Sequence, residues 1–143
     1  MEQAECKEQL SYLLARICHA HRNLVHSELS KVNLHVGQEM FLLSLRDREG
    51  ITLSELAEGL CVQQATVTRM LGRIESAGLV SRRKDPDDQR VSRVYLTEAG
   101  RNLLHPIAQT WAEVETRMLA NFTLEERVLL RRFLLQLYSN LTG

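Results

Sequence analysis

The side chains of this sequence that are best suited to bind a ligand are cations gathered in one segment. The whole chain is neutral, with 18 Lys and Arg and 18 Asp and Glu in 143 residues. Residues 69–93, however, hold four acidic residues against seven basic ones, namely Arg69, Arg73, Arg82, Arg83, Lys84, Arg90 and Arg93. A basic patch on a neutral protein predicts a docking surface for a polyanion, the alternative being an ordinary solvated face.

Other kinds of chemistry have little support in the sequence. No Gly-rich phosphate loop, nucleophile motif or convergent pair of carboxylates points to an enzyme. The histidines show no metal-ligand spacing, so we expect neither a metal nor a cofactor. Cys6, Cys18 and Cys61 are an odd number without a CxxC pair, which argues against a disulfide framework. Cys61 is interpreted as a small buried residue.

The length of the chain and its N-terminus predict one domain in the cytoplasm. The first residues carry acidic side chains where a signal peptide needs cations, and their apolar positions are periodic. No apolar run approaches the roughly 18 residues that span a bilayer, so we expect no membrane partner.

The apolar spacing in the first half of the chain predicts four helices. Three- and four-residue spacing predicts a long amphipathic helix over 7–31, and a second helix is expected at 36–48. A short helix at 52–60 opens with Thr52 and Glu55 as a capping box. A further helix over 63–78 ends at Gly78, a favourable residue for a helix C-terminus.

The second half of the chain predicts a hairpin followed by two helices. "LVSRRK" and "VSRVYL" alternate and flank "DPDDQR", which is typical of two short strands joined by a turn. Thr97 is expected to cap a long helix to about residue 119, with Pro106 marking a kink or a delayed start. Thr123 begins the last helix. Two short helices followed by a hairpin indicate a mainly α fold, the winged helix-turn-helix.

The helix at 63–78 is expected to enter the major groove of DNA. At 100° per residue, one side faces the core with Val67, Met70, Leu71 and Ile74. The opposite side carries Ala65, Arg69, Gly72 and Ser76, flanked by Thr66, Thr68 and Arg73. An outward Gly72 costs about 1 kcal/mol relative to Ala in a helix, and it would let the helix approach a surface closely. The alternative is an ordinary surface helix that happens to hold a glycine.

The two ends of this surface predict phosphate and minor-groove contacts. Free backbone N–H groups at the start of the helix favour phosphate near Gln63, Gln64 and Thr66. In the hairpin, phosphate contacts are expected from Arg82, Arg83 and Lys84, in addition to Arg73. Arg90 would enter a narrow minor groove, oriented by a bidentate pair with Asp88. The alternative for that pair is an exposed contact that only stabilises the turn.

Residues 52–100, "TLSELAEGLCVQQATVTRMLGRIESAGLVSRRKDPDDQRVSRVYLTEAG", resemble the winged-helix core of the MarR family of bacterial transcriptional regulators. The pattern contains L-x-x-L-A, T-V-T-R, R-x-E-x-x-G-L-V, R-x-x-D-P-x-D-x-R and L-T-x-x-G. The resemblance implies major-groove contacts by Gln63, Gln64, Ala65, Thr66, Thr68 and Arg69, and a wing contact by Asp88 and Arg90. The family commonly has Ser or Asp where this chain has Gln63, which leaves the helix start and the base preference open.

The resemblance also implies a homodimer that binds a pseudopalindromic operator, more often as a repressor. Long helices within 1–34 and 98–143 would form the dimerisation domain, and 35–97 the DNA-binding lobe. Independently, the last helix carries more apolar residues than one face can hold, namely Leu124, Leu129, Leu130, Phe133, Leu134, Leu137, Tyr138 and Leu141. Such a helix needs burial on two sides, one of which a second subunit would supply.

The signal that such a protein senses is left open by the sequence. The family usually releases DNA when a small aromatic or phenolic molecule binds, and the candidate lining residues here are Arg16, His19, His21, Met40 and Phe41. A redox-responsive regulator using Cys6 or Cys18 is one alternative. Another is a winged helix that binds a protein and not DNA, which a weak salt dependence of binding would reveal.

Overall fold

The computed structural model describes residues 8–35 and 37–143, and its elements follow the predicted order, with a 3₁₀ turn and one strand added. In chain order they are α1 (Leu10–Leu29), a 3₁₀ turn (Ser30–Val32), α2 (Gln38–Asp47), β1 (Ile51–Thr52), α3 (Leu53–Leu60), α4 (Gln64–Ser76), β2 (Val80–Lys84), β3 (Ser92–Leu96), α5 (Glu98–Met118) and α6 (Leu124–Thr142). The chain divides into two compact units, Met1–Trp111 and Ala112–Gly143.

The core of the first unit is built from the apolar sides of its helices and from the sheet. Its buried residues include Val25, Leu29, Leu34, Phe41, Leu42, Leu45, Leu56, Val67, Leu71, Ile74, Val80, Val94, Leu96 and Ile107. The predicted inner side of the helix at 63–78 is therefore confirmed, with Met70 half-buried beside its three buried members.

Local hydrogen bonds define the ends of the two short helices. Thr52 and Glu55 form the predicted capping box at the start of α3, each side chain bonding the other residue's backbone N–H. Gly78, at φ 74°, follows the C-cap of α4 and donates its N–H to the carbonyl of Glu75 at 2.9 Å. That left-handed conformation suits glycine, and it ends α4 where the sequence predicts.

The sheet has three antiparallel strands in the order β1-β3-β2, one strand more than the predicted hairpin. The additional strand, β1, pairs Ile51 with Val94 and Thr52 with Arg93. Gly50 leads into it with φ 76° and donates its N–H to the carbonyl of Val94 at 2.9 Å. A strand of two residues is too short to show the alternating pattern that indicates a strand in a sequence. It is defined only by its pairing with β3.

The start of α5 is joined to the end of α4 by a short set of polar contacts. The hydroxyl of Thr97 donates to the carbonyl of Gly78 at 2.6 Å and accepts the N–H of Gly100 at 3.1 Å. A Cβ on Gly100 would overlap the carbonyl oxygen of Leu79, so this contact requires glycine. Pro106 lies inside α5, which starts at Glu98, so the predicted delayed start is wrong.

The second unit holds the end of α5 and all of α6. Thr123 and Glu126 form a capping box at the start of α6, so the predicted start is confirmed. Apart from Leu130, every residue of α6 is exposed within this single chain. In the part of the chain that the structure describes, no helix is long and apolar enough to cross a membrane.

Candidate nucleic-acid interface

The outer face of α4 has the composition that its spacing predicts. Ala65, Thr68, Arg69, Gly72, Arg73 and Ser76 are all exposed. Among the described residues, neither Arg69 nor Arg73 forms an ion pair, so both guanidinium groups are available to a ligand. Thr68 donates its hydroxyl hydrogen to the carbonyl of Gln64 at 3.0 Å, which leaves its oxygen as an acceptor at this face.

The first turn of α4 has no side chain over its free backbone donors. Gln63 is the N-cap residue and makes no side-chain capping bond. Its carbonyl accepts the N–H groups of Thr66 and Val67, which leaves those of Gln64 and Ala65 directed out of the helix. An uncapped helix start suits an anionic ligand, and the exposed amides of Gln63 and Gln64 add donors and acceptors there.

The hairpin, which we call the wing (residues 80–96), is attached to α4 by a bidentate ion pair. Arg82 donates from Nε to Glu75 at 3.0 Å and from Nη2 at 2.8 Å. These hydrogen bonds lower the pKa of the Glu75 carboxyl and raise the pKa of Arg82. The sequence predicts a phosphate contact for Arg82, and nothing in the sequence pattern indicates this second role.

The turn of the wing is organised around Asp85, which is buried. Its carboxylate accepts Nε of Arg93 at 2.6 Å and the backbone N–H of Asp87 at 2.8 Å. Arg93 also donates Nη1 to the carbonyl of Gly50 at 2.8 Å, which ties β3 to the start of β1. The Arg93 hydrogen bond, with those from the turn, lowers the pKa of Asp85.

The two remaining arginines of the wing are held by different means. The guanidinium of Arg83 lies 4.6 Å from the ring centroid of Tyr95, a cation–π contact. Arg90 and Asp88 form the predicted bidentate pair, at 3.1 Å and 3.3 Å. The Arg90 side chain is 90% exposed, so the pair contributes little to stability and leaves the guanidinium accessible at the tip of the wing.

The basic patch is therefore divided between structural and available cations. Arg82, Arg90 and Arg93 each pair with a carboxylate of the same segment. Arg69, Arg73, Arg83 and Lys84 form no ion pair with any described residue, and all four are exposed. The positive charge that a polyanion would meet is thus concentrated on α4 and on the last two residues of β2, next to the turn of the wing. Contact of the predicted residues with DNA stays a prediction.

The predicted effector residues lie in unlike environments. Arg16 and His19 are exposed on α1, Met40 is exposed on α2, and Phe41 is fully buried in the core. His21 is half-buried, and its ring centroid lies 5.4 Å from that of Trp111.

Two buried polar groups that the sequence pattern does not indicate lie in the same unit. The indole N–H of Trp111 has no hydrogen-bond partner among the described residues. Burial raises the pKa of the Glu39 carboxyl, against the lowering effect of backbone hydrogen bonds and of His21. An effector site that includes His21 stays a prediction.

The cysteines correct one expectation of the sequence analysis. Cys61 is exposed, not buried, because it ends α3 in a left-handed conformation (φ 54°) in the turn before α4. Cys18 is also exposed, on α1, and Cys6 lies outside the described residues. Within 8–35 and 37–143, no group of three or more His, Cys, Asp or Glu side chains is placed to hold a metal ion.

Comparison with known proteins agrees with this geometry. The model of the MarR family matches residues 34–92, which include α2 to α4 and most of the wing. The HTH-type transcriptional regulator YdgJ of Bacillus subtilis (strain 168) is 30% identical over 144 residues, covering 92% of this chain and 87% of that protein. The chain belongs to the MarR family.

Two further proteins are similar to this chain. The HTH-type transcriptional repressor NicR of Pseudomonas putida is 28% identical over 121 residues, covering 85% of this chain and 77% of that protein. A crystal structure of a mutant MarR from E. coli complexed with operator DNA matches with a TM-score of 0.83 and 29% identity, covering 90% of this chain and 92% of that one. This MarR-type chain is thus a transcriptional regulator with a winged helix-turn-helix fold.

Proposed function

We propose that this MarR-family regulator is a homodimeric repressor that binds a pseudopalindromic operator in double-stranded DNA. In this proposal α4 reads base edges in the major groove through Gln64, Thr66, Thr68 and Arg69, while Arg90 enters the minor groove. Arg73, Arg82, Arg83 and Lys84 contact phosphates. An aromatic or phenolic small molecule releases the DNA.

The observation that carries the proposal is the outer face of α4. Arg69 and Arg73 are exposed and make no ion pair with a described residue, whereas Arg82, Arg90 and Arg93 in the same basic segment are each paired with a carboxylate. The small residues Ala65 and Gly72 lie on this face, so DNA can approach the helix closely. Arginine in that position suits guanine, which presents two acceptors in the major groove.

The dimer is supported by α6 taken by itself. Its exposed large apolar residues are Leu124, Val128, Leu129, Phe133, Leu134, Leu135, Leu137, Tyr138 and Leu141. These residues lie all around the helix, and an exposed apolar surface of this size favours association. In α1 the apolar residues Leu10, Leu13 and Ile17 are likewise exposed. In a two-fold dimer the half-sites would lie roughly one DNA turn apart.

The repressor and effector parts of the proposal rest on the family. NicR, to which this chain is similar, is named a transcriptional repressor. Release by a small molecule follows from the resemblance to MarR regulators, with Arg16, His19, His21, Met40 and Phe41 as the candidate lining.

The experiment that tests DNA binding is selection of ligands from a random duplex library, followed by titration of the selected duplex at several salt concentrations. We expect a two-fold symmetric sequence, with log affinity falling against log salt by about 0.9 for each phosphate contacted. Enrichment of no sequence, or an affinity indifferent to salt, would contradict the proposal and favour a protein-binding winged helix.

Matched variants of the wing separate the proposed phosphate contacts from the folding role of Arg82. We expect Arg83→Ala and Arg82→Ala to weaken all duplexes about equally, since neither residue reads bases in this proposal. Glu75→Gln keeps Arg82 while it removes the charge that pairs with it. If Arg82→Ala and Glu75→Gln lower affinity to the same extent, Arg82 acts through the attachment of the wing and not through phosphate.

A further inference from the structure

We infer that a groove on the flank of α4 away from the wing binds the sugar-phosphate backbone of the DNA strand on that side. Asn33, His35 and Ser76 contact the phosphates, and the lack of a side chain at Gly72 keeps the groove open. This inference rests on the proposed function, because it concerns the same recognition helix. It adds a second backbone contact that lies outside the wing and includes residues of the loop before α2.

The groove lies between that loop and α4. It has a volume of about 620 Å³, and its lining includes Asn33, His35, Arg69, Gly72, Arg73 and Ser76. Arg73 lies about 160° around the helix from Glu75, where Arg82 attaches the wing, since successive residues differ by roughly 100°. A helix in the major groove lies between two phosphate strands, so these two flanks would face different strands.

The charge of the groove suits an anion. Arg69 and Arg73 contribute two guanidinium groups, and none of the described residues that line the groove is acidic. Asn33 and His35 are exposed. The backbone N–H of His35 donates to Oε1 of Gln38 at 2.9 Å, and the imidazole takes no part in that bond. The imidazole is therefore available to the groove. Ser76, at the end of α4, adds a hydroxyl donor.

Among the described residues, no contact of Gly72 requires glycine. It lies inside α4 with an ordinary helical conformation, and a Cβ built on it meets no atom of a described residue within 4 Å. Packing and backbone strain therefore do not explain the residue, although glycine is unfavourable inside a helix. A side chain at this position would project into the groove, so the absence of one preserves space for a ligand that comes close to the helix.

The test compares Gly72→Leu with Gly59→Leu. Gly59 is a matched control because it also lies in an exposed helical position, in α3, where an added Cβ meets nothing within 4 Å, and it does not line the groove. Binding of the whole chain to its selected operator and to an unrelated duplex is measured across salt concentrations. Thermal melts are expected to show both variants at least as stable as the wild type, because leucine favours helix more than glycine does.

We expect Gly72→Leu to lower affinity at least tenfold for both duplexes, while Gly59→Leu binds as the wild type does. The salt slope of Gly72→Leu should be shallower by about 0.9 for each phosphate that the variant no longer binds. His35→Ala, which keeps the backbone bond to Gln38, should lower affinity for both duplexes about threefold and serves as a second variant if Gly72→Leu does not fold.

Two results would overturn the inference. One is unchanged affinity and salt slope in both groove variants. The other is that Gly72→Leu weakens binding to the operator but not to the unrelated duplex, since α4 would then approach bases closely and not the backbone. A wild-type protein that binds no duplex would instead overturn the proposed function itself.

Discussion

Gly100→Ala tests the contact that joins α4, β2 and α5 in the first unit. A Cβ at this position would overlap the carbonyl oxygen of Leu79 and come within 3.1 Å of the carbonyl carbon and 3.2 Å of Cδ2 of Leu96. The overlapping atom belongs to the backbone and cannot rotate away, so α5 must shift relative to Leu79.

The size of the effect follows from the contacts at risk. Overpacking of this kind costs about 1–3 kcal/mol. The shift would also strain the hydrogen bonds from Thr97 Oγ1 to Gly78 at 2.6 Å and from the Thr97 N–H to Leu79 at 3.1 Å, each contributing about 1 kcal/mol. The better helix propensity of alanine offsets up to about 1 kcal/mol. We therefore expect a loss of about 3 kcal/mol in the free energy of unfolding, or a Tm lower by about 10 °C.

The assay is urea and thermal unfolding followed by circular dichroism at one protein concentration, since a dimer would make Tm depend on concentration. Gly59→Ala is the control, because its Cβ meets nothing within 4 Å, and it should be as stable as the wild type or slightly more stable. A Gly100→Ala variant within about 0.5 kcal/mol of the wild type would refute the reasoning, because it would mean that α5 can move away from Leu79 without loss.

Three further predictions concern the interface, the wing and the assembly. Arg69→Ala should remove about 1–3 kcal/mol of the binding free energy that discriminates between bases at one operator position, and none at the others. Titration of single-base operator variants measures this loss, and retained specificity would show that Arg69 does not read a base. Hydrogen bonds from Arg93 and from the backbone of the turn lower the pKa of the Asp85 carboxyl from its ordinary value of 3.8. The ionised carboxylate therefore stabilises the fold fully above pH 3.8, and this stabilisation is lost as the pH falls through the lowered pKa. Asp85→Asn should therefore be less stable than the wild type at pH 7, with a difference that shrinks below pH 3.8 in urea titrations; a constant difference would exclude the charge as the cause. Phe133→Glu, at a side chain exposed in the single chain, should give a monomer by analytical ultracentrifugation, and an unchanged mass would place the dimer contact elsewhere.

The order of the elements and the ends of several helices could be predicted because they depend on residues close together in the chain. The capping box of α3 joins Thr52 to Glu55, and Gly78 ends α4 through a bond that spans three residues. The same applies to the Asp88–Arg90 pair in the turn. The exposed face of α4 follows from the helical period once the apolar side is known.

Other features of the interface were decided only by the tertiary structure, because the residues that form them are far apart in the sequence. Strand β1 exists through pairing with β3, and Arg93 reaches the carbonyl of Gly50, 43 residues away. The bond between Arg82 and Glu75 depends on how the wing folds back on α4, and it turns a predicted ligand contact into a structural one as well. Charge in a segment can be counted from the sequence. Which cations are free to bind depends on the carboxylates that folding brings beside them.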